Sequence, residues 1–378
     1  MDVREVTHTP RGFGLDQCLK SFVSSLLPPP DSRQRKMTSD TQKTELNVVM
    51  GSATFGEEGQ PGARIHDLDK IEALLDIFRA HGHTDIDSAY FYAGGTSEIV
   101  LGKIDWKSKG LKLETKLPAI FNEQQKTVHG TEETVSHTYK DIKIHILKSL
   151  KALDTEQLDI FYLHTPDRLT PYEVTMKAVN DLYREGYFRR FGISNYTSWE
   201  VAELVGICKA NGYVLPSVYQ GLYNAVHRAV EPELIPCLRK FGISFYGFNP
   251  LGGGLFTGRY TSPEDDVGEG TRFDPNGVQG KLYRKRYWND HYFEAMSSIR
   301  TAADAHGLTM AEVALRWLCH HSVLKRDFGD SIIIGASSLD HVKQNLVDLE
   351  KGPLPAEVID ALDKGWEIVR PYASPYYH

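Results

Sequence analysis

A carboxylate, a phenol, an ammonium and an imidazole recur at similar places in this chain, each where a short β-branched run gives way to polar residues. Asp87 ends the run TDIDSA, and Tyr92 follows on the next loop with a glycine pair behind it. Lys116 stands near the end of LKLETKL, and LDIFYLHTPD carries His164 with Asp167 three residues later. Carboxylate, phenol, amine and imidazole are the groups that give and take protons in general acid and base chemistry. Alone, each has an ordinary explanation: a helix cap or ion-pair partner for Asp87, a packed ring for Tyr92, a satisfied core histidine for His164. Their shared position reverses that balance if the folding pattern carries all of them to one end of one sheet.

The pattern does so. From about Leu46 onward, short β-branched runs alternate with amphipathic stretches of helical length. LNVVMG precedes DLDKIEALLDIFRAHG, LDIFYLHTPD precedes PYEVTMKAVNDLYREG, and FRRFGISN precedes SWEVAELVGICKANG. Eight such units can be traced, several helical stretches ending in glycine (Gly82, Gly186, Gly212, Gly242) as helix C-termini do. Strands alternating with helices require a parallel sheet. Eight units predict a (β/α)8 TIM barrel in a single domain, 46–378, whose chemistry collects at the carboxyl ends of the strands. An open doubly wound sheet is disfavoured, because Gly252-Gly253-Gly254 is out of register with GxGxxG. There is no Walker A, HExxH or GxSxG match, so Ser194 lacks the elbow of a hydrolase nucleophile. Strand ends therefore contribute Asp87 and Tyr92, Lys116, His164 and Asp167, Ser194 and Asn195, Gln220, Asn249, and Gly335 with Ser337.

The remainder of the sequence narrows the class. Fifty acidic residues against 43 basic ones give a net charge of −7, which argues against nucleic acid as partner. The four cysteines show no CxxC spacing and read as reduced thiols of a cytoplasmic protein. No apolar run approaches the roughly 20 residues of a membrane helix. No metal is expected: His81 with His83, and His320 with His321, lack a third ligand at suitable spacing. Asn195-Tyr-Thr197 matches a glycosylation sequon, but a buried Asn195 excludes a glycan. Residues 1–45, with PPP and a long polar run, read as a disordered extension. The want of a clean apolar core among the first 36 residues argues against a secretory signal, and Asp2, Glu5, Asp16 and Asp31 argue against a transit peptide, so Met37 is read as the ordinary start.

Taken in order, DIDSAYFY, LETKLP, FYLHTPD, GISNY, VYQGLYN, FNPLGGGLFTG and GASSLDHVKQN resemble the aldo-keto reductases, most closely the aflatoxin-aldehyde (succinic semialdehyde) reductase subfamily. The resemblance implies a catalytic tetrad of Asp87, Tyr92, Lys116 and His164, reducing aldehydes and ketones with NADPH. A carbonyl that accepts hydride becomes an alkoxide, and Tyr92 would supply its proton. A free phenol has a pKa of about 10, and an adjacent Lys116 ammonium is expected to lower it, with Asp87 holding that lysine. His164 would hydrogen-bond the carbonyl oxygen. The resemblance further puts the nicotinamide on Ser194, Asn195 and Gln220, with Tyr219 or Tyr223 stacking on the ring. Asn249, Pro250, Leu251, Gly253, Gly254, Gly258 and Arg259 would wrap the pyrophosphate, glycine N–H groups approaching oxygen closely. Ser337, Gln344 and Asn345 would surround the adenosine, with Lys343 near a 2′-phosphate. Tyr283 and Arg286 match a carboxylate-holding pair for the substrate. The subfamily commonly ends in arginine where this chain has His378, which leaves room for neutral or aromatic carbonyls. A homodimer is implied as well. Two other readings keep the fold: a tailoring ketoreductase of one biosynthetic pathway, and an NADPH-binding regulatory subunit of the channel β-subunit type.

Overall fold

A computed structural model describes residues 43–378. Eight parallel strands close into a barrel in sequence order: β1 (Asn47–Gly51), β2 (Asp85–Asp87), β3 (Lys112–Leu117), β4 (Leu158–Leu163), β5 (Phe188–Ser194), β6 (Pro216–Leu222), β7 (Ser244–Phe248) and β8 (Ser331–Ile334). The described helices run in chain order as α1 (Leu68–Ala80), α2 (Thr96–Gly102), α3 (Glu123–His129), α4 (Tyr139–Ala152), α5 (Tyr172–Arg184) and α6 (Ser198–Asn211). They continue as α7 (Leu234–Phe241), α8 (Val278–Tyr287), α9 (Asp290–Ala305), α10 (Met310–His320), α11 (Leu339–Leu349) and α12 (Ala356–Val369). The predicted (β/α)8 barrel is the observed one. The extension assigned to residues 1–45 falls almost wholly outside the described residues. Thr44, its penultimate member, is buried, and its backbone carbonyl accepts a bond from Arg326.

Local chemistry explains the boundaries. Thr197 and Glu200 form a reciprocal capping box that starts α6, and Gly212 ends it in the left-handed region at φ 64°. Thr138, Thr309 and Ser338 start α4, α10 and α11 by accepting backbone N–H groups. Two details differ from the periodicity. Between β3 and α4 stands the separate short α3, where Asn122 and Gln125 build their own capping box. Tyr92 opens a tight turn, with Ala93, Gly94 and Gly95 all at positive φ, before α2 begins.

Strands buried on both faces read as continuous apolar runs, yet alternation still decides which side chains enter the lumen. Val49, Ile160, Tyr162, Val218, Tyr246 and Ile333 fill it. A larger apolar layer separates strands from helices. Lys116 is level with Tyr162, and Tyr162 with Gly192. The Tyr162 ring occupies the space a side chain at 192 would need: a Cβ there would lie 2.2 Å from a ring carbon. The Tyr162 hydroxyl donates to Glu114 at 2.8 Å, and Glu114 is wholly buried.

Two measurements test this packing. Gly192→Ala should destabilise the fold by about 1–3 kcal/mol in urea denaturation, the usual cost of overfilling a packed core. The second concerns Glu98 on α2, where burial pushes the carboxyl up to about 7 despite bonds from Thr115 and Ser149. The unfolded value is about 4.3, so the folded chain holds this proton more tightly. Stability from that group is complete below the unfolded value and is lost as pH rises toward 7. Glu98→Gln should flatten the loss between those limits, read as urea midpoints of variant and parent across pH.

Candidate active site

At the carboxyl mouth of the barrel, Lys116 is fully buried and its Nζ donates to Asp87 Oδ1 at 2.6 Å and to the Ser88 carbonyl at 2.7 Å. Gln220, from the opposite side of the barrel, donates to the same Asp87 oxygen at 2.8 Å. Burial works against the Lys116 charge, but Asp87 and then Tyr92 outweigh it and hold the ammonium above its ordinary pKa. The Lys116 Nζ stands 5.0 Å from the centre of the Tyr92 ring. Asp87, Tyr92 and Lys116 are thus brought together from two neighbouring strands and the turn after the first.

The Tyr92 phenol differs from expectation. Burial pushes its pKa up, and the attraction of Lys116 offsets only part of that rise. A buried phenol loses more by desolvation than one ammonium, itself neutralised by Asp87, returns. Tyr92 is therefore in its protonated, donating form at neutral pH. His164 faces it with ring centres 6.2 Å apart. Burial, followed by the Lys116 charge, drives the imidazole well below its usual pKa and keeps it neutral. Among the described residues its buried Nδ1 has no hydrogen-bond partner, leaving Nε2 for the mouth.

The loop after β7 carries the glycines expected to cradle phosphate. Gly252, Gly253 and Gly254 have φ of 58°, 68° and 113°, accessible to glycine at no steric cost. Gly253 is doubly constrained, since a Cβ would lie 2.3 Å from the Tyr283 ring. Arg300 ties the far end of the loop through the Gly258 carbonyl at 3.1 Å, and Arg259 is exposed. Asn249 stands at positive φ, its side-chain Nδ2 buried and without a partner among the described residues. A buried donor of that kind fits a polar oxygen of a bound group, as a nicotinamide dinucleotide would offer. Ser194 is fully buried beside Asn195, whose Nδ2 donates to Ser194 Oγ at 3.0 Å and to the His164 carbonyl at 2.8 Å. Pro250 is buried and Leu251 packs against the core, so these two shape the loop through their bulk.

Other expected residues have partners of their own. Tyr219 and Tyr223 are fully buried on the helix side of β6 and its following loop, their hydroxyls donating to the Tyr196 carbonyl at 2.6 Å and to Glu231 at 2.6 Å. Period-two alternation puts Tyr219 on the face opposite Gln220, so stacking at the mouth is excluded for it. Gln344 turns its amide to Asp348 at 2.8 Å on its own helix, and Ser337 pairs with His341 at 3.1 Å. Asn345 is buried, whereas Lys343 is exposed. Asp167 caps its loop by accepting from the backbone of His137 at 2.7 Å and Leu169 at 2.9 Å. The histidine pairs serve packing, with His81 bonded to Glu350 at 2.7 Å and His320 to the Lys351 carbonyl at 2.7 Å. Deeper in the barrel, Asp85, Glu114 and Asp159 approach within 4.8 Å of one another, and Arg190 pairs with Asp159 at 2.6 Å.

The substrate side has an unforeseen member. Tyr283 hydroxyl donates to Asn249 Oδ1 at 3.0 Å and accepts from Arg272 at 2.6 Å. Arg286 stands 5.7 Å from the same ring. Burial raises the Tyr283 pKa, but Arg272 and Arg286 together bring it below the ordinary value. Arg272 comes from a loop with no regular period, which hid it in the sequence; Arg64 lies within the electrostatic reach of both Arg272 and Arg259. The last residue folds over the same mouth. His378 N–H donates to the Asn195 carbonyl at 3.2 Å, and Arg168 donates to the His378 carbonyl at 2.8 Å.

Because Asp87 and Lys116 are both buried, Lys116→Met leaves an unpaired carboxylate. It should cost about 3–5 kcal/mol in urea denaturation. Adding Asp87→Asn should recover most of that stability, measured as a double-mutant cycle.

The comparisons agree with this geometry. Residues 47–367 match the model of the aldo/keto reductase family. An aldo-keto reductase of Pseudocercospora fijiensis is 46% identical over 304 residues, 80% of this chain and 100% of the relative. The aldo-keto reductase pigE of Monascus ruber is 43% identical, over 90% of this chain and 100% of its own. Human aflatoxin B1 aldehyde reductase member 2 is 38% identical, over 93% and 94%. With the eightfold barrel and this mouth in place, the chain belongs to the aldo/keto reductase family and is an oxidoreductase acting on carbonyl groups.

Proposed function

We propose that the protein reduces aldehydes and ketones to alcohols with NADPH, Tyr92 acting as general acid. The observation that carries this reading is the buried Lys116–Asp87 pair set against the Tyr92 ring, with neutral His164 across from it. A bound reduced nicotinamide would supply the hydride. Ser194, Asn195 and the free oxygen of the Gln220 amide are the groups that would hold its head; Asn249 and the Gly252–Gly254 turn would hold the pyrophosphate, and Asn345 with Ser337 the adenosine end.

Each side chain then has one task. His164 Nε2 donates a hydrogen bond to the carbonyl oxygen and fixes its position. Tyr92, protonated at rest, passes its proton to that oxygen as negative charge develops there. Lys116 stabilises the tyrosinate left behind, an interaction stronger after transfer than before it, which is the condition for lowering the barrier. Asp87 keeps Lys116 charged and aimed. Tyr283, Arg272 and Arg286 form a cationic wall suited to a carboxylate at the far end of a short aldehyde, the guanidinium fork binding both oxygens. A terminal imidazole at 378 leaves neutral and aromatic carbonyls acceptable too.

The test is purified protein with NADPH and succinic semialdehyde, benzaldehyde or 4-nitrobenzaldehyde, followed by absorbance of the reduced nicotinamide. Turnover is expected with at least one. Tyr92→Phe should lower kcat about 10²–10⁴-fold while NADPH affinity, read by fluorescence quenching, stays close to parental. Cofactor binding without turnover on any carbonyl would overturn the proposal.

A further inference from the structure

The short helix α3 serves none of the groups assigned so far, yet its last residue reaches the mouth. His129 has its ring centre 6.3 Å from that of His164 and 5.5 Å from that of Phe91, the residue before Tyr92. Its helix packs against α8, which carries Tyr283 and Arg286. A histidine closing a helix ordinarily turns to the last carbonyls or to solvent. This one leans on two rings of the active site. Among the described residues, no side chain or backbone group hydrogen-bonds either of its ring nitrogens, and both reach solvent at the mouth rather than being sealed in the protein. Burial draws the imidazole down to about 4, so at neutral pH it offers one donor and one acceptor without charge.

The surroundings say what such a group can meet. Phe91, Tyr92, His129 and His164 line one side of the mouth with flat rings, which prefer the edges and faces of another ring. The cationic wall of Tyr283, Arg272 and Arg286 provides for a carboxylate; a neutral imidazole is poorly matched to an anion and well matched to a hydroxyl or an oxo group. Resting on the reductase reading above, we propose that His129 is a specificity-determining residue of this pocket. It hydrogen-bonds a neutral oxygen carried by an aromatic carbonyl substrate across the ring from the carbon that is reduced.

The experiment, run at a mildly acidic pH at which its phenol stays protonated, compares 4-hydroxybenzaldehyde with benzaldehyde, under NADPH, for the parent, His129→Phe and His129→Gln. Phenylalanine keeps the ring contacts and removes both nitrogens, whereas glutamine keeps a donor and an acceptor. One neutral hydrogen bond corresponds to roughly a three- to tenfold change in binding. His129→Phe should therefore lower the kcat/KM ratio of the hydroxylated to the plain aldehyde by that factor, through KM and not kcat. His129→Gln should retain most of the parental ratio. A residue that only props up α3 would change both substrates alike. Equal ratios in all three proteins, with turnover intact, would overturn this role and leave the reductase reading standing. A parent that reduces no carbonyl would remove both.

Discussion

A lysine and an aspartate, 2.6 Å apart inside a closed barrel, set the terms for everything at the mouth. Two opposite charges withdrawn from water are costly unless each is fully coordinated. Here Lys116 also meets the Ser88 carbonyl, and Asp87 also meets Gln220. The pair is thereby fixed in direction as well as in charge, and the Tyr92 ring centre stands 5.0 Å from the Lys116 Nζ. Because Gln220 stands on β6 and Asp87 on β2, the same network ties two non-adjacent strands together. The ion pair is at once a strut across the lumen and the source of the field that acts on the phenol.

That arrangement accounts for a phenol whose pKa lies above its ordinary value beside an ammonium. Desolvation acts on Tyr92 before any reaction begins, and Asp87 cancels much of the field of Lys116 at rest. The benefit of Lys116 appears as the proton leaves and negative charge forms on the tyrosine oxygen. A group selected to stabilise the product of proton transfer need not acidify the donor beforehand; preorganisation in a low-dielectric site is enough.

Much of this was legible in the sequence. Alternation of β-branched runs with amphipathic stretches was sufficient for the barrel, because parallel strands need crossovers and eight of them close. Strand-end logic located Asp87, Lys116 and His164, whose positions follow from register. What stayed hidden came from elsewhere. Arg272 lies in a loop and His129 ends a short helix, segments whose path depends on tertiary packing, with no period to read. Tyr219 was misjudged for a different reason: proximity in sequence to a site says nothing about which face a side chain takes, and one residue along a strand reverses it. The direction of the Tyr92 shift required burial, a quantity that sequence does not carry.

The way Tyr162 lies over Gly192 has a bearing on how such a protein can diversify. With an aromatic ring filling the middle of the cylinder and no room for even a methyl group on the adjacent strand, the floor of the pocket is a fixed surface. Novelty in what the molecule accepts must then be written into the crossovers above it: the α3 segment, the stretch bearing Arg272, and the returning tail. Chemistry and selectivity are thus carried by separate parts of the chain, and one is free to drift while the other stands still.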